Sequence, residues 1–152
     1  MIRGAGSMKL RDRTAIVTGA GGGLGRSHAL MLAAQGARIV VNDANEASAE
    51  RVAAEINANG GEAIGIAASV TEENQIAAMV DRTMAAWGRV DILVNNAGIL
   101  RDKSFAKMDL ADFRLVLDVH LMGSVICTKA VWEIMRQPRH GRIVMTTSSS
   151  GL

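Results

Sequence analysis

Residues 14–25 read TAIVTGAGGGLG, and RSHALMLAAQG follows them. An apolar, β-branched run over Thr14–Thr18 reads as a buried strand. It feeds a glycine-rich turn that opens a helix spanning about Gly23–Gln35. A strand, a glycine turn and a helix in that order aim backbone N–H groups and the positive helix end at a pyrophosphate. Glycines suit the turn because a Cβ would block the phosphate or force a strained φ. Gly19, Gly23 and Gly25 are spaced TG-x-x-x-G-x-G, one residue wider than the common dinucleotide fingerprint. Glycine clusters also make ordinary tight turns, so it is the position between one strand and one helix that selects the dinucleotide reading.

The pattern repeats outward from this unit. Gly36 ends the first helix, and Arg38–Asn42 is a second strand. Glu46–Ala58 is a helix with Val52 and Ile56 on one face, closed by Asn59-Gly60-Gly61. Glu62–Ala68 is a third strand diluted by alanine and glycine. Thr71 is expected to cap the next helix, with Asn74 where a capping box prefers Glu or Gln. That helix stops at Gly88. Val90–Asn95 is a fourth strand, followed by a loop over Ala97–Met108. A long helix covers about Leu110–Met135, with room for an early break, and Arg142–Thr147 is a fifth strand after a turn at Gln137–Gly141. Strands alternating with helices of this length mean βαβ units, a parallel sheet and right-handed crossovers. The fold class is α/β, a doubly wound parallel sheet of Rossmann type. The fifth strand lies close to the last residue with no helix after it. The sheet is therefore expected to be incomplete on its C-terminal side, with a bare edge and an exposed apolar face. The domain is taken as 8–152, and residues 1–7 (MIRGAGS) as a disordered leader or vector-derived remnant.

Composition narrows the function classes. The 152 residues are 49% hydrophobic and 21% charged, enough for one packed domain and too few for two. The formal charge is +2, and the cations are scattered apart from a short Pro138–Arg142 cluster. Aromatic residues make up 3% and tyrosine is absent, so no basic face with stacking rings is available and nucleic acid is not an expected partner. Cys127 is the single cysteine, which rules out an internal disulfide or a multi-cysteine metal site; it is read as an inert buried thiol. No metal is expected. The N-terminus lacks a signal-peptide core, and no stretch is expected to approach the length of a membrane span. The protein is read as soluble and cytoplasmic, with no membrane partner.

Three further stretches carry chemistry. Asp43 lies 18 residues beyond Gly25, at the end of the second strand. A carboxylate there accepts hydrogen bonds from the adenosine ribose hydroxyls and repels a 2′-phosphate; its bland reading is an Asp starting a turn. No Arg or Lys lies inside the glycine turn or directly after Asp43, which favours NAD over NADP. Asn95-Asn96-Ala97-Gly98 follows the fourth strand, where asparagine bridges backbone groups and Ala-Gly leaves room for a cofactor, although the same residues also suit a plain turn. TTSSS at 146–150 ends the fifth strand, where open α/β sheets place functional groups. A serine there serves either a substrate oxygen or the start of a polar loop.

TGAGGGLG, Asp43, NNAG and the TSSSG ending, in this order, resemble the short-chain dehydrogenase/reductase family over essentially everything after Met8. The resemblance implies a hydride moved between a nicotinamide and an alcohol or carbonyl. It places the cofactor-binding glycines on Gly19, Gly23 and Gly25, with Leu24 between them, and the NAD-selecting acid on Asp43. The residues beside the cofactor fall on Asn96, Ala97 and Gly98. After the third strand, where an acid often lies near the adenine, this chain has Ser69 and Val70. The catalytic serine falls on Ser148, three positions before Gly151, and the asparagine usual in the long helix is replaced by His120. That histidine either keeps the backbone role of the asparagine or is a buried structural residue. The family's Tyr-x-x-x-Lys acid/base pair has no counterpart, so the isolated chain is expected to show no turnover.

ILRDKSFAKM at 99–108, VHLMG at 119–123 and GRIVMTTSSSG at 141–151 look most like 3-hydroxyacyl-CoA dehydrogenase domains of multifunctional β-oxidation enzymes. The RDKSFAKM segment is also similar to 3-oxoacyl carrier-protein reductases, whose usual NADPH preference Asp43 opposes. Arg101 and Lys103 either approach an anionic acyl carrier or are solvated loop charges. The resemblance thus implies the N-terminal portion of an NAD-dependent oxidoreductase acting on a small-molecule secondary alcohol or carbonyl, a homo-oligomer in its full-length form. The alternatives are a non-catalytic NAD-binding module and an NADPH-dependent carrier-protein reductase.

Overall fold

The computed structural model describes residues 8–148. Five strands, β1 (Thr14–Val17), β2 (Arg38–Asp43), β3 (Glu62–Ala67), β4 (Ile92–Asn95) and β5 (Arg142–Met145), form one parallel sheet in the order β3-β2-β1-β4-β5. Between them run α1 (Gly23–Ala34), α2 (Glu46–Ala58), α3 (Glu73–Trp87), α4 (Leu110–Leu117) and α5 (Gly123–Arg136). The expected doubly wound Rossmann-type architecture is what the chain adopts.

Side-chain alternation along the strands makes two cores. Ala15, Val17, Ile39 and Val41 point to one face, where Ala29 of α1 and Val52 and Ile56 of α2 cover them. Ile16, Val40 and Leu93 point to the other, against Ile76 and Met79 of α3 and Val131 of α5. Both faces being covered explains why β1 and β2 read as unbroken apolar runs. In β3 the dilution by small residues has a packing reason. A Cβ on Gly65 would lie 2.8 Å from the backbone nitrogen of Glu50, so glycine is what lets α2 close onto β3.

The helix ends follow the sequence reading with one correction. Gly88 sits in the left-handed region (φ +69) and its N–H bonds the Met84 carbonyl, ending α3. Thr71 does not cap α3. The helix begins after Glu72, which has an extended backbone and no side-chain cap, and the Thr71 hydroxyl is 2.8 Å from Ser69 Oγ instead. β1, β3, β4 and β5 are each one or two residues shorter than expected, although Thr18, Asp91 and Thr146 beside them keep backbone hydrogen bonds to the neighbouring strand.

The amino ends of the central strands are locked by one buried carboxylate. Asp91, whose side chain is 3% exposed, accepts hydrogen bonds from Arg13 Nη1 (2.9 Å), Arg89 Nε (2.7 Å) and the Thr14 N–H (2.9 Å). Burial pushes its pKa up, but the hydrogen bonds from Arg89, Thr14 and Arg13 outweigh burial and hold it below the ordinary carboxylate value.

The long helix is continuous from Leu110 to Arg136 but not α-helical throughout. Asp118–Met122 form a π turn that joins α4 to α5. By length and composition this helix is long and apolar enough to cross a membrane, which corrects the expectation that no stretch approaches that length. The difference arises because the apolar residues recur around several turns, broken only by single charges such as Asp118 and Lys129. Much of that apolar surface is open: Leu121 is 58% and Trp132 54% exposed. β5 forms the sheet edge, with Val144 and Met145 about half exposed, as expected for an open C-terminal side. A cavity of about 800 Å³ separates this edge from the helix, between Trp132 and Met145.

Candidate cofactor-binding site

The chain order reverses between β1 and β4, and the crevice at their carboxyl ends is where open α/β sheets take ligands. Thr18 builds the floor of that crevice. It is 1% exposed; its Oγ1 donates to the Val94 carbonyl (3.3 Å) and accepts the N–H groups of Asn96 and Ala97, both at 3.0 Å. Asn96 answers from the other side, with Nδ2 donating to the carbonyls of Thr18 (2.9 Å) and Gly19 (3.2 Å). The glycine turn and the NNAG loop are therefore one hydrogen-bonded unit.

Glycine does different work at each turn position. Gly19 has φ +60 and lies against Ala97, whose Cα would be 2.8 Å from an added Cβ. A Cβ on Gly25 would overlap the Gly19 carbonyl oxygen. Gly23 has φ +52 and open space around it, and Leu24 beside it is 67% exposed, so this part of the turn faces outward. α1 starts after Gly22 with no side-chain cap and no acid in its first turn. Its leading N–H groups are left for an anion.

Asp43 sits at the lip of this cradle. Its Oδ2 accepts the Gly21 N–H and its Oδ1 the Asn45 N–H, both at 3.0 Å. The second bond is the turn-starting role, and the first ties the carboxylate to the glycine turn. A Cβ on Gly21 would fall 2.7 Å from Asp43 Oδ2 and 2.6 Å from Ser48 Cβ, so Gly21 belongs to the site although its spacing did not mark it. Arg51 was missed too; its Nη2 donates to the Gly21 carbonyl at 2.7 Å from far along α2.

A cavity of about 220 Å³ opens between these elements, and Gly19, Asp43, Ser69, Val70, Ala97 and Gly98 are among the residues that line it. Asn42 is 1% exposed, and its Nδ2 donates to the carbonyls of Ile66 (3.2 Å) and Ala68 (3.0 Å), which fixes the end of β3 beside β2. The Ser69 N–H donates to Gln75 Oε1 at 2.8 Å, pinning this wall to α3. An uncapped helix end, a cradle that Cβ atoms would fill and a carboxylate on its rim fit the pyrophosphate and ribose of a dinucleotide.

A second cavity, about 400 Å³, is shared by His120, Ser148, Ile99 and Phe113. His120 is exposed, which corrects the expectation of a buried structural histidine. Its π turn faces solvent on the open side of the helix. Nε2 lies 2.9 Å from both the N–H and the carbonyl of Ile99, so either tautomer ties the long helix to the loop after NNAG. The ring also covers Gly98, where a Cβ would be 2.7 Å from Cε1. Gly151, which sets the register of Ser148, lies outside the described residues, as do residues 1–7. Arg101 and Lys103 both pair with Asp112, at 3.4 and 3.2 Å, on the exposed loop. Among the described residues no group of three metal-ligating side chains occurs.

The sequence profile of the short chain dehydrogenases matches residues 13–152. The chain is 46% identical to the peroxisomal multifunctional enzyme type 2 of Drosophila melanogaster, over 97% of this chain and 26% of that protein. It is 44% identical to a 3-oxoacyl-[acyl-carrier-protein] reductase of Synechocystis sp., over 94% of this chain and 58% of that one. Among solved structures, a short chain dehydrogenase from Mycobacterium avium superposes with a TM-score of 0.87 at 38% identity, covering 94% of this chain and 55% of its own. The chain thus spans between a quarter and three fifths of the length of these relatives.

Proposed function

The chain belongs to the short chain dehydrogenase family, and from that premise we propose that it binds NAD at the carboxyl ends of β1, β2 and β4. In this reading it is the cofactor-holding part of an oxidoreductase for secondary alcohols, with 3-hydroxyacyl-CoA as the substrate class. The observation that carries the choice of NAD is Asp43, oriented by the Gly21 and Asn45 N–H groups at the cavity lip. Held there, it accepts ribose hydroxyls and opposes the dianionic 2′-phosphate that distinguishes NADP. The uncapped end of α1 takes the pyrophosphate, and Ser69 and Val70 flank the adenine.

When bound, the nicotinamide supplies or accepts the hydride at the carbinol carbon. Ser148 orients the substrate oxygen in the cavity it shares with His120. His120 holds Ile99 against the π turn and so sets one wall of that cavity. Oxidising the alcohol also requires its hydroxyl proton to be taken by a base in hydrogen-bond reach. The 152 residues contain no tyrosine, so we expect this chain by itself to bind NAD without turning over.

Calorimetric titration with NAD and NADP tests the reading; micromolar NAD binding with weaker NADP is expected. Equal or tighter NADP binding would instead favour the alternative of an NADPH-dependent carrier-protein reductase, a 3-oxoacyl-[acyl-carrier-protein] reductase being what the Synechocystis relative is named. NADH formation by the 152-residue chain with a 3-hydroxyacyl-CoA would overturn the expected lack of turnover. The half-exposed apolar residues of α4 and α5 support a homo-oligomer of the full-length protein, which sedimentation checks. A cytoplasmic location completes the reading. Several relatives carry “peroxisomal” in their names, the Drosophila melanogaster enzyme among them, and a fluorescent full-length fusion found in an organelle would replace it.

A further inference from the structure

Arg26 and Arg51 both lie near Glu55, but only one of them pairs with it. Arg51 precedes Glu55 by four residues on α2, a spacing that brings opposite charges together on a helix. Arg26 of α1 takes Glu55 instead. Its Nε donates to Glu55 Oε2 at 2.8 Å and its Nη2 to Oε1, so both carboxylate oxygens are occupied. Arg51 turns to the glycine turn and donates Nη2 to the Gly21 carbonyl at 2.7 Å. Among the described residues no carboxylate lies within 4.0 Å of the Arg51 guanidinium. The other end of the same residue, the Gly21 N–H, is bound by Asp43 Oδ2 at 3.0 Å. One glycine is thus bracketed by a carboxylate and by an exposed guanidinium that still has four N–H donors in its fork.

We propose that Arg51 is a second determinant of cofactor choice, a 2′-phosphate-binding cation held beside the ribose site by the Gly21 carbonyl and overruled there by Asp43. The inference rests on the reading that a nicotinamide dinucleotide binds this turn, and it names the group that decides how strictly NADP is refused. A guanidinium fork matches phosphate oxygens bidentately, and the contact is charge-assisted. With Asp43 present, its carboxylate meets the 2′-phosphate first and the repulsion dominates. With that charge removed, the phosphate finds a cation already in place. Asp43 thus refuses the phosphate while Arg51 limits how strictly it is refused, and the chain retains the partner for the cofactor it rejects.

The test is a double-mutant cycle on the full-length protein, read by calorimetric or fluorescence Kd for NAD and NADP. Asp43→Asn removes the charge at constant shape, and Asp43→Ser repeats the test should the amide disturb the turn. Either is expected to tighten NADP at least tenfold relative to the unsubstituted protein. Adding Arg51→Met, which keeps the aliphatic stem, is expected to reverse most of that gain and to weaken NADP about fivefold or more beyond any loss of NAD in the same background. Arg51→Lys should retain part of the gain. An NADP gain undiminished in the double variant would overturn the proposal, as would the absence of any gain. A parallel loss of NAD and NADP affinity would reduce Arg51 to a purely structural support of Gly21, and this also overturns it. Failure of the unsubstituted protein to bind either dinucleotide is a separate result, and it refutes the proposed function rather than Arg51.

Discussion

Replacing Thr18 by valine keeps the shape of the side chain and deletes the hydroxyl that accepts two backbone N–H groups of the NNAG loop. In the native arrangement that oxygen accepts two backbone N–H groups, Asn96 and Ala97, at 3.0 Å each, and donates to the Val94 carbonyl at 3.3 Å. The donated bond is long and its loss is minor, since the Thr18 N–H also bonds the Val94 carbonyl at 3.0 Å. The two accepted bonds decide the magnitude. A buried donor left unsatisfied costs about 1–3 kcal/mol. Asn96 and Ala97 are only partly buried, which places each near the lower end of that range, so Thr18→Val should lose about 2 kcal/mol. Thr18→Ser keeps the hydroxyl and removes one methyl, worth about 1 kcal/mol. Urea unfolding followed by circular dichroism gives both values. NAD titration of the same variants should show valine weakening binding more than serine, because the turn and the loop then move apart. A valine variant within about 1 kcal/mol of the parent, or one less damaging than serine, would refute the view that Thr18 works through its hydroxyl.

Three other expectations are independent of the cofactor. The Asp91 pKa is depressed in the folded state, so its stabilisation is complete above the ordinary carboxylate pKa and disappears as pH falls through the depressed value. Asp91→Asn should therefore be clearly less stable than the parent at neutral pH, with the gap closing between about pH 5 and pH 2 in urea titrations. Burial pushes the Cys127 thiol up to about 12, so Ellman’s reagent at pH 8 should leave it unlabelled in the native protein and modify it fully in denaturant. Gly65→Ala inserts a Cβ 2.8 Å from the Glu50 nitrogen and should destabilise by about 1–3 kcal/mol, measured by thermal unfolding, whereas the same change at the open Gly22 should be near neutral.

What the sequence made legible was whatever depends on neighbours in the chain. TAIVTG announces a strand and its turn because β-branched residues and glycines act locally, and Asp43 follows from its place at the end of the next strand. Thr18, Gly21 and Arg51 escaped notice because their partners lie 76 to 79, 22 and 30 positions away. No local pattern marks a hydroxyl that bridges two loops, or an arginine displaced from its helical neighbour by a residue on another helix. Thr71 was misread for a related reason: a competing hydroxyl on Ser69 engages it before the helix begins. His120 lies among apolar residues and so looked interior, but the helix face carrying it has no covering element among the described residues.

The π turn at Asp118–Met122 has a consequence for how this helix tolerates insertions and deletions. Each residue of an α-helix advances the side chains by about 100°, and a π turn is in effect one residue inserted without breaking the rod. Deleting any one residue between 118 and 122 would heal the ladder into regular α-helix. It would also swing α4 by roughly that angle relative to α5. Met135 and Val131 would stay in the core while Phe113 and Val116 were carried away from the Ser148 cavity. The irregularity therefore acts as a phase setting between a core-packed half-helix and one that lines the Ser148 cavity, and chains that keep the five-residue turn keep both halves in register.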